Sequence, residues 1–275
     1  MTTLRDAAAR FAAMHRSGSP LLLPNAWDPL SARIVEDAGA PAVATTSAGV
    51  AWSLGAADGD QIDRDNVLAL VARITAAVGV PVTADVESGF GATPDEVAVT
   101  VEGVLAAHAV GVNIEDVHPG DPAGLRPVAE QADRLAAARS AADAAGVPLY
   151  VNARVDTYLR AVGDPAGRFD ETVQRARAYV AAGADGIFVP GVVDAPTVSR
   201  LAADVGAPLN ILAGPGAPSV AELAELGVAR VSLGSSVAGA AYAVVRAVAR
   251  ELFESGTYTA VEARLDYGEL NALMR

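Results

Sequence analysis

Asp85 and Glu87 stand two residues apart at the end of the run VPVTADVE (80–87). Asn113 and Glu115 repeat that spacing in GVNIED (111–116), and Asn152, Arg154 and Asp156 extend it in LYVNARVD (149–156). Residues two apart on a strand share a face. If these runs are neighbouring strands, at least three carboxylates and one guanidinium converge on one place. Carboxylates held that close raise one another's pKa unless a positive charge lies among them. An all-oxygen, histidine-poor set suits a hard cation, Mg²⁺ or Mn²⁺. The alternative is an ion-pair network in which Arg154 ties the acids together.

The elements that must position these residues are short apolar runs followed by Ala/Arg/Glu-rich stretches of helical spacing. Besides the three above, the runs are LLLPNA (21–26), AVATTS (42–47), GIFVPG (186–191), LNILA (209–213) and ARVSLGS (229–235). Continuous rather than alternating apolar runs mark parallel strands covered on both faces. Eight strand–helix units over 275 residues predict an α/β chain folded as a single (β/α)₈ TIM barrel spanning 1–275, a fold that typically needs about 250 residues. An open doubly wound sheet would show the same alternation, but no G-x-G-x-x-G follows the first run.

Barrel enzymes place their chemistry at the C-terminal ends of the strands. Read there, the polar residues also include Asn25, Thr46, Ser47, Asp116, Asn210, Ser232 and Ser235, whereas the strand beginnings read as apolar. The stretch TTSAGVAWSLGAADGDQID reads as a loop in which Thr46, Ser47, Ala48 and Gly49 let backbone N–H groups approach an anion, with Asp58 further along. VHPGDPAGLRPVAE has the Gly/Pro composition of a lid, and its His118 reads as solvated. The tail 237–275 is amphipathic and longer than barrel closure needs, which predicts a helical oligomerisation segment.

Composition removes several classes. The net charge of −13 disfavours nucleic acid. All 20 basic residues are arginine, so Schiff-base, pyridoxal-phosphate and P-loop chemistry lack their lysine. No cysteine is present, which excludes disulfides and thiolate nucleophiles. The opening MTTLRDAAARFAAMHRSGSP reads as an amphipathic helix rather than a signal peptide, no apolar window is long enough for a membrane span, and a cytoplasmic protein is expected.

NAWD (25–28), TTSAGVAWSLGAADG (45–59), TADVESGFG (83–91), NIEDV (113–117) and NARVDTY (152–158) follow one another in order. With them the chain resembles the phosphoenolpyruvate mutase/isocitrate lyase superfamily over nearly its whole length. The resemblance implies a β/α barrel whose last helix is exchanged between subunits of a homodimer or homotetramer. It implies Asp85 as the direct Mg²⁺ ligand, and Asp58, Glu87 and Glu115 as the carboxylates that hold metal-bound waters. It implies Thr46, Ser47 and Ala48 around a substrate carboxylate and Arg154 on its oxygens. Asp58, Arg154 and Glu115 are the expected catalytic residues, with Asn210 added to the substrate contacts from its place in the strand pattern. The expected activity is Mg²⁺-dependent C–C cleavage of a small 2-oxo or 2-hydroxy (di)carboxylate through an enolate, of the oxaloacetate decarboxylase/hydrolase or alkylmalate lyase kind. Phosphonopyruvate mutase or hydrolase chemistry, or a non-catalytic metabolite-binding barrel, are the alternatives. The chain departs from the lyases in lacking their K-[KR]-C-G-H lid motif, and from the mutases in carrying Ala44 and Pro190 where they have Trp and His.

Overall fold

Pro24 divides the first apolar run, and that division is what closes the sheet. The computed structural model describes residues 3–118, 120 and 124–275 and has nine strands: β1 (Leu21–Leu23), β2 (Asn25–Ala26), β3 (Val43–Thr45), β4 (Val82–Asp85), β5 (Gly111–Glu115), β6 (Tyr150–Arg154), β7 (Gly186–Val189), β8 (Leu209–Leu212) and β9 (Arg230–Ser232). All pairings are parallel, in the order β1-β9-β8-β7-β6-β5-β4-β3-β2. Both ends of that order belong to the run 21–26: its first half pairs with β9 and its second half with β3. Proline offers no N–H to a ladder, so the strand changes partner there. The eight expected strands thus form one α/β barrel.

Around it lie α1 (Leu4–Ala12), α2 (Pro29–Asp37), α3 (Ser47–Ser53), α4 (Arg64–Ala77), α5 (Pro94–Ala106), α6 (Val128–Ala144), α7 (Arg168–Ala181), α8 (Ala195–Asp204), α9 (Val220–Glu225), α10 (Ser236–Ser255) and α11 (Tyr267–Leu273). Reciprocal capping boxes start α1 (Thr3/Asp6), α2 (Asp28/Ser31), α5 (Thr93/Glu96) and α9 (Ser219/Glu222), satisfying N–H groups that no helix can satisfy itself. The stretch expected as a loop after β3 is helical from Ser47, a correction with a steric basis. A Cβ on Gly49 would fall 2.8 Å from Trp27 Cβ and 2.8 Å from Thr46 Cγ2, so only glycine lets α3 start this close to the barrel.

The apolar core between strands and helices is Val, Ile, Leu and Ala, with a second cluster at the N-terminal end of the barrel where α1 seals the bottom. There Phe11 meets Tyr150 edge-on at 5.6 Å and His15 stacks on Tyr150 at 3.8 Å. The expectation of apolar strand beginnings fails on this side: Thr83, Tyr150 and Arg230 are all buried at or near strand starts.

His15 makes the bottom seal pH-sensitive. Its Nδ1 donates to Phe11 O at 3.0 Å, Nε2 is buried with no partner among the described residues, and burial pulls its pKa from 6.5 to about 3, with Arg230 adding to the effect. Below 6.5 the unfolded chain binds a proton that the folded chain refuses. The stabilisation is therefore complete above 6.5 and is lost as pH falls toward 3, amounting to about 2 kcal/mol at pH 5. His15→Phe keeps the aromatic stack and should match the wild type at pH 7.5, but melt roughly 5 °C above it at pH 5. Parallel melting curves at the two pH values would refute this.

At the other end of the chain α10 is largely bare. Ala238 is its one buried residue, and Val244, Val245 and Phe253 are 56%, 63% and 86% exposed. No helix among the described residues is long and apolar enough to cross a membrane.

Candidate functional site

Register brings the acidic residues together. Asp85 on β4 is the pairing partner of Asn113 on β5, Glu115 on β5 is the partner of Arg154 on β6, and Arg154 is the partner of Phe188 on β7. All sit at or near the C-terminal ends of their strands. Arg154 is held at three nitrogens: Nε and Nη2 donate to the two oxygens of Asp156 at 2.6 and 2.9 Å, and Nη1 is ion-paired with Glu115 Oε2 at 2.7 Å. Its guanidinium carbon lies 5.9 Å from the Phe188 ring centre. A guanidinium has five N–H groups, so one hydrogen remains on each η nitrogen. Burial opposes its charge, but Glu115 and Asp156 hold the guanidinium firmly protonated.

The ion-pair alternative therefore describes part of the site and not all of it. Among the described residues Asp58, Asp85 and Glu87 form no ion pair. Asp85 Oδ2 accepts the Ser47 N–H at the start of α3 (3.1 Å), while its own N–H donates to Thr45 Oγ1 (2.8 Å). The pKa of Asp58, on the loop beyond α3, is raised by burial against its neighbours and then by Asp85, with the Ser47 side chain and Arg154 opposing. Glu87 is pushed up to about 7, first by burial and then by Asp60, Asp85 and Asp58, against the pull of its hydrogen bond from Asp60. Glu115 is also raised, by burial first and then by Asp156, Asp85 and Glu87, with Arg154 opposing. One cation thus faces a group of acids that still repel one another.

Two loops that carry these acids are knotted together in a way the strand pattern did not reveal. Glu87 Oε2 accepts the N–H of Gly59 (2.9 Å) and of Asp60, and the Asp60 carboxylate accepts the Ser88 hydroxyl. Arg134 of α6, fully buried, donates to Ser88 O and to Ala92 O (3.1 Å). Asp60, Glu87 and Phe90 adopt left-handed φ values of 56°, 52° and 50°, a conformation uncommon outside glycine and found where surroundings over-determine the backbone. Asp60, Ser88 and Arg134 were absent from the sequence reading. Ser88 lies inside the motif that carried Glu87, and Asp60 falls one residue past the end of the motif that carried Asp58.

Thr46, Ser47 and Ala48 are buried at the entrance to α3, 3%, 7% and 8% exposed, beside Asp85. Asn210 is a correction. It lies inside the barrel, where its amide donates to Ser232 Oγ (3.1 Å) and accepts from Asn152 Nδ2 (3.1 Å), so it does not present a free group at the mouth. Asp116 also points away, into α7, accepting from Tyr179 OH (2.9 Å) and Arg175 (3.2 Å). Of the stretch read as a lid, Pro119 and residues 121–123 lie outside the described residues. Its base is described: Val117 bridges Leu125 and the Arg126 N–H donates to Asp116 O at 2.8 Å. His118 is exposed, as expected. Among the described residues no three Asp, Glu or His side chains converge closely enough to enclose an ion by themselves.

The family described as phosphoenolpyruvate phosphomutase matches residues 11–253. The 2-methylisocitrate lyase of Escherichia coli is 31% identical over 215 residues, 75% of this chain and 70% of the lyase. The oxaloacetate decarboxylase of Rhodopseudomonas palustris is 31% identical over 246 residues, 87% of this chain and 80% of the decarboxylase. A solved structure from Burkholderia cenocepacia, provisionally described as a phosphonomutase, superposes with a TM-score of 0.86 at 44% identity, covering 89% of this chain and 99% of its own.

Proposed function

This chain belongs to the phosphoenolpyruvate mutase/isocitrate lyase superfamily, and from that premise we propose that it is a Mg²⁺-dependent lyase cleaving a C–C bond of a small 2-oxo or 2-hydroxy dicarboxylate. The observation that carries this reading is the imbalance at the mouth: Arg154 is bonded to Glu115 and Asp156, while among the described residues Asp85, Asp58 and Glu87 have no cation in contact. Oxygen-only donors fit a hard ion such as Mg²⁺, which keeps several waters and is commonly held by one or two carboxylates plus substrate. Asp85 would hold it directly, with Asp58, Glu87 and Glu115 ordering its waters; Mn²⁺ would substitute.

When bound, the ion supplies positive charge to the substrate oxygen that becomes anionic as the bond breaks. The chain's own residues do the rest. Arg154 directs its two remaining N–H groups at the substrate carboxylate, and Glu115 and Asp156 fix its plane so that no reorganisation is needed during reaction. Thr46, Ser47 and Ala48 flank the same carboxylate from the start of α3. Asp58, raised in pKa, lies where a proton could be exchanged with the substrate.

The test is oxaloacetate with Mg²⁺, following pyruvate and CO₂, with EDTA as control; substituted malates and phosphonopyruvate complete the panel. The relatives of phosphomutase type make phosphonopyruvate the second candidate. Turnover of phosphonopyruvate alone would replace the C–C reading with P–C chemistry. No turnover of any, together with tight oxalate binding, would make the barrel a metabolite sensor.

The bare apolar face of α10 supports a second element of the proposal, a homodimer or homotetramer in which the segment 237–275 packs on, or exchanges with, a neighbouring copy. Truncation after residue 237 should give a smaller particle or an unfolded chain. Unchanged size by light scattering would remove this element.

A further inference from the structure

β/α barrels usually fill their interior with layers of bulky aliphatic side chains. Here one part of the interior is polar. Thr83, Asn113, Tyr150, Asn152, Asn210 and Arg230 are each 6% exposed or less. Asn113 Oδ1 accepts from Asn152 Nδ2 at 2.8 Å, and Arg230 Nη2 reaches the same oxygen at 3.4 Å. Arg230 Nε and Nη1, Tyr150 OH, Asn152 Oδ1 and Thr83 Oγ1 are buried with no hydrogen-bond partner among the described residues. Gly186 leaves the room: a Cβ there would fall 2.3 Å from Tyr150 OH and 2.9 Å from Asn152 Oδ1.

A desolvated guanidinium with one long hydrogen bond and, among the described residues, no carboxylate in contact is strongly unfavourable by itself. Its compensation lies above it. Asn113, which Arg230 touches, is the register partner of Asp85. Burial draws the Arg230 pKa down to about 10, and Tyr150 and Asp85 act against that, so the group stays charged at neutral pH. A charge buried inside the barrel is screened by salt far less than one at the surface, so it acts over several ångströms.

We propose that Arg230 is a second cation of the site, a positioning residue that acts from inside the barrel through Asn113 and across to Asp85, so that ion affinities at the mouth depend on a charge that never touches substrate. This rests on the reading under Proposed function. It has a signature that a merely structural role lacks: removing the charge must shift the two ligands in opposite directions.

The experiment titrates the full chain with Mn²⁺, and then with oxalate at saturating Mn²⁺, in wild type, Arg230→Gln and Arg230→Lys. Arg230→Gln should bind Mn²⁺ about tenfold more tightly and oxalate about tenfold more weakly, each factor equivalent to about 1.4 kcal/mol. Arg230→Lys should stay within about threefold of wild type for both, on the same scale. Weakening of both ligands, or no change in either, in Arg230→Gln overturns the proposal. If that variant does not fold, the lysine variant decides: wild-type affinities support a role for charge, and loss of oxalate binding overturns it. A wild type that takes up neither Mn²⁺ nor oxalate overturns the functional reading and this inference with it, whereas normal uptake unaffected by Arg230→Gln overturns the inference alone.

Discussion

Asp85→Ala should abolish Mn²⁺ and oxalate binding and lower turnover by about 10³-fold or more, while the melting temperature moves by no more than about 3 °C. The two halves of that expectation have separate causes. Asp85 acts electrostatically on Asp58, Glu87, Glu115 and Arg154 together. Removing it takes the direct ligand from the proposed ion. Stability changes little because the backbone bond from Asp85 N–H to Thr45 Oγ1 survives the substitution. Only the bond from Ser47 N–H is lost, about 1 kcal/mol, and relief of repulsion with Asp58 and Glu87 offsets part of it. A fall in melting temperature of ten degrees or more, with metal uptake intact, would mean that Asp85 serves the fold and would remove the proposed metal site.

That the barrel could be read from the sequence follows from the burial of parallel strands. LNILA and GIFVPG carry no alternation because both faces are covered, and eight such runs leave few other folds for 275 residues. Spacing by two placed Asp85, Glu115 and Arg154 correctly because each is on a regular strand. Glu87 shows where that argument stops. It lies two residues past the end of β4, with a φ of 52°, so the strand rule no longer applies to it; its position is set by hydrogen bonds to the 59–60 backbone. The same holds for Asp60, whose role depends on a left-handed turn that no period encodes.

Asn210 and Arg230 mark the opposite failure. Both lie on regular strands, but a strand pattern gives a face and not a depth. Asn210 pairs with Arg230 across β8 and β9, so both sit well below the mouth. A polar residue on an interior face was read as a rim residue for Asn210, and an arginine at a strand start was passed over for Arg230. The signal available was the excess of polar residues over the usual aliphatic layers. It points to interior electrostatics only once register is known.

Arg154→Met should lose both stability and function, and a second substitution should separate the two. Asp156 is fully buried, and Arg154 supplies two of its closest contacts, the remaining ion pair being Arg160 Nε at 3.4 Å. Leaving a buried carboxylate with its main partner gone costs about 3 kcal/mol or more. Glu115 loses its ion pair as well, and protonation lessens that loss because its pKa is already raised. Adding Asp156→Asn removes the stranded charge, and replacement of both members of a buried pair is often close to neutral. The double variant should therefore recover most of the lost melting temperature in a thermal scan. It should not recover oxalate binding or turnover, because the two N–H groups proposed to hold the substrate carboxylate are gone. Recovery of oxalate affinity along with stability would show that Arg154 only braces β5 against β6, and that the anion is held by other groups.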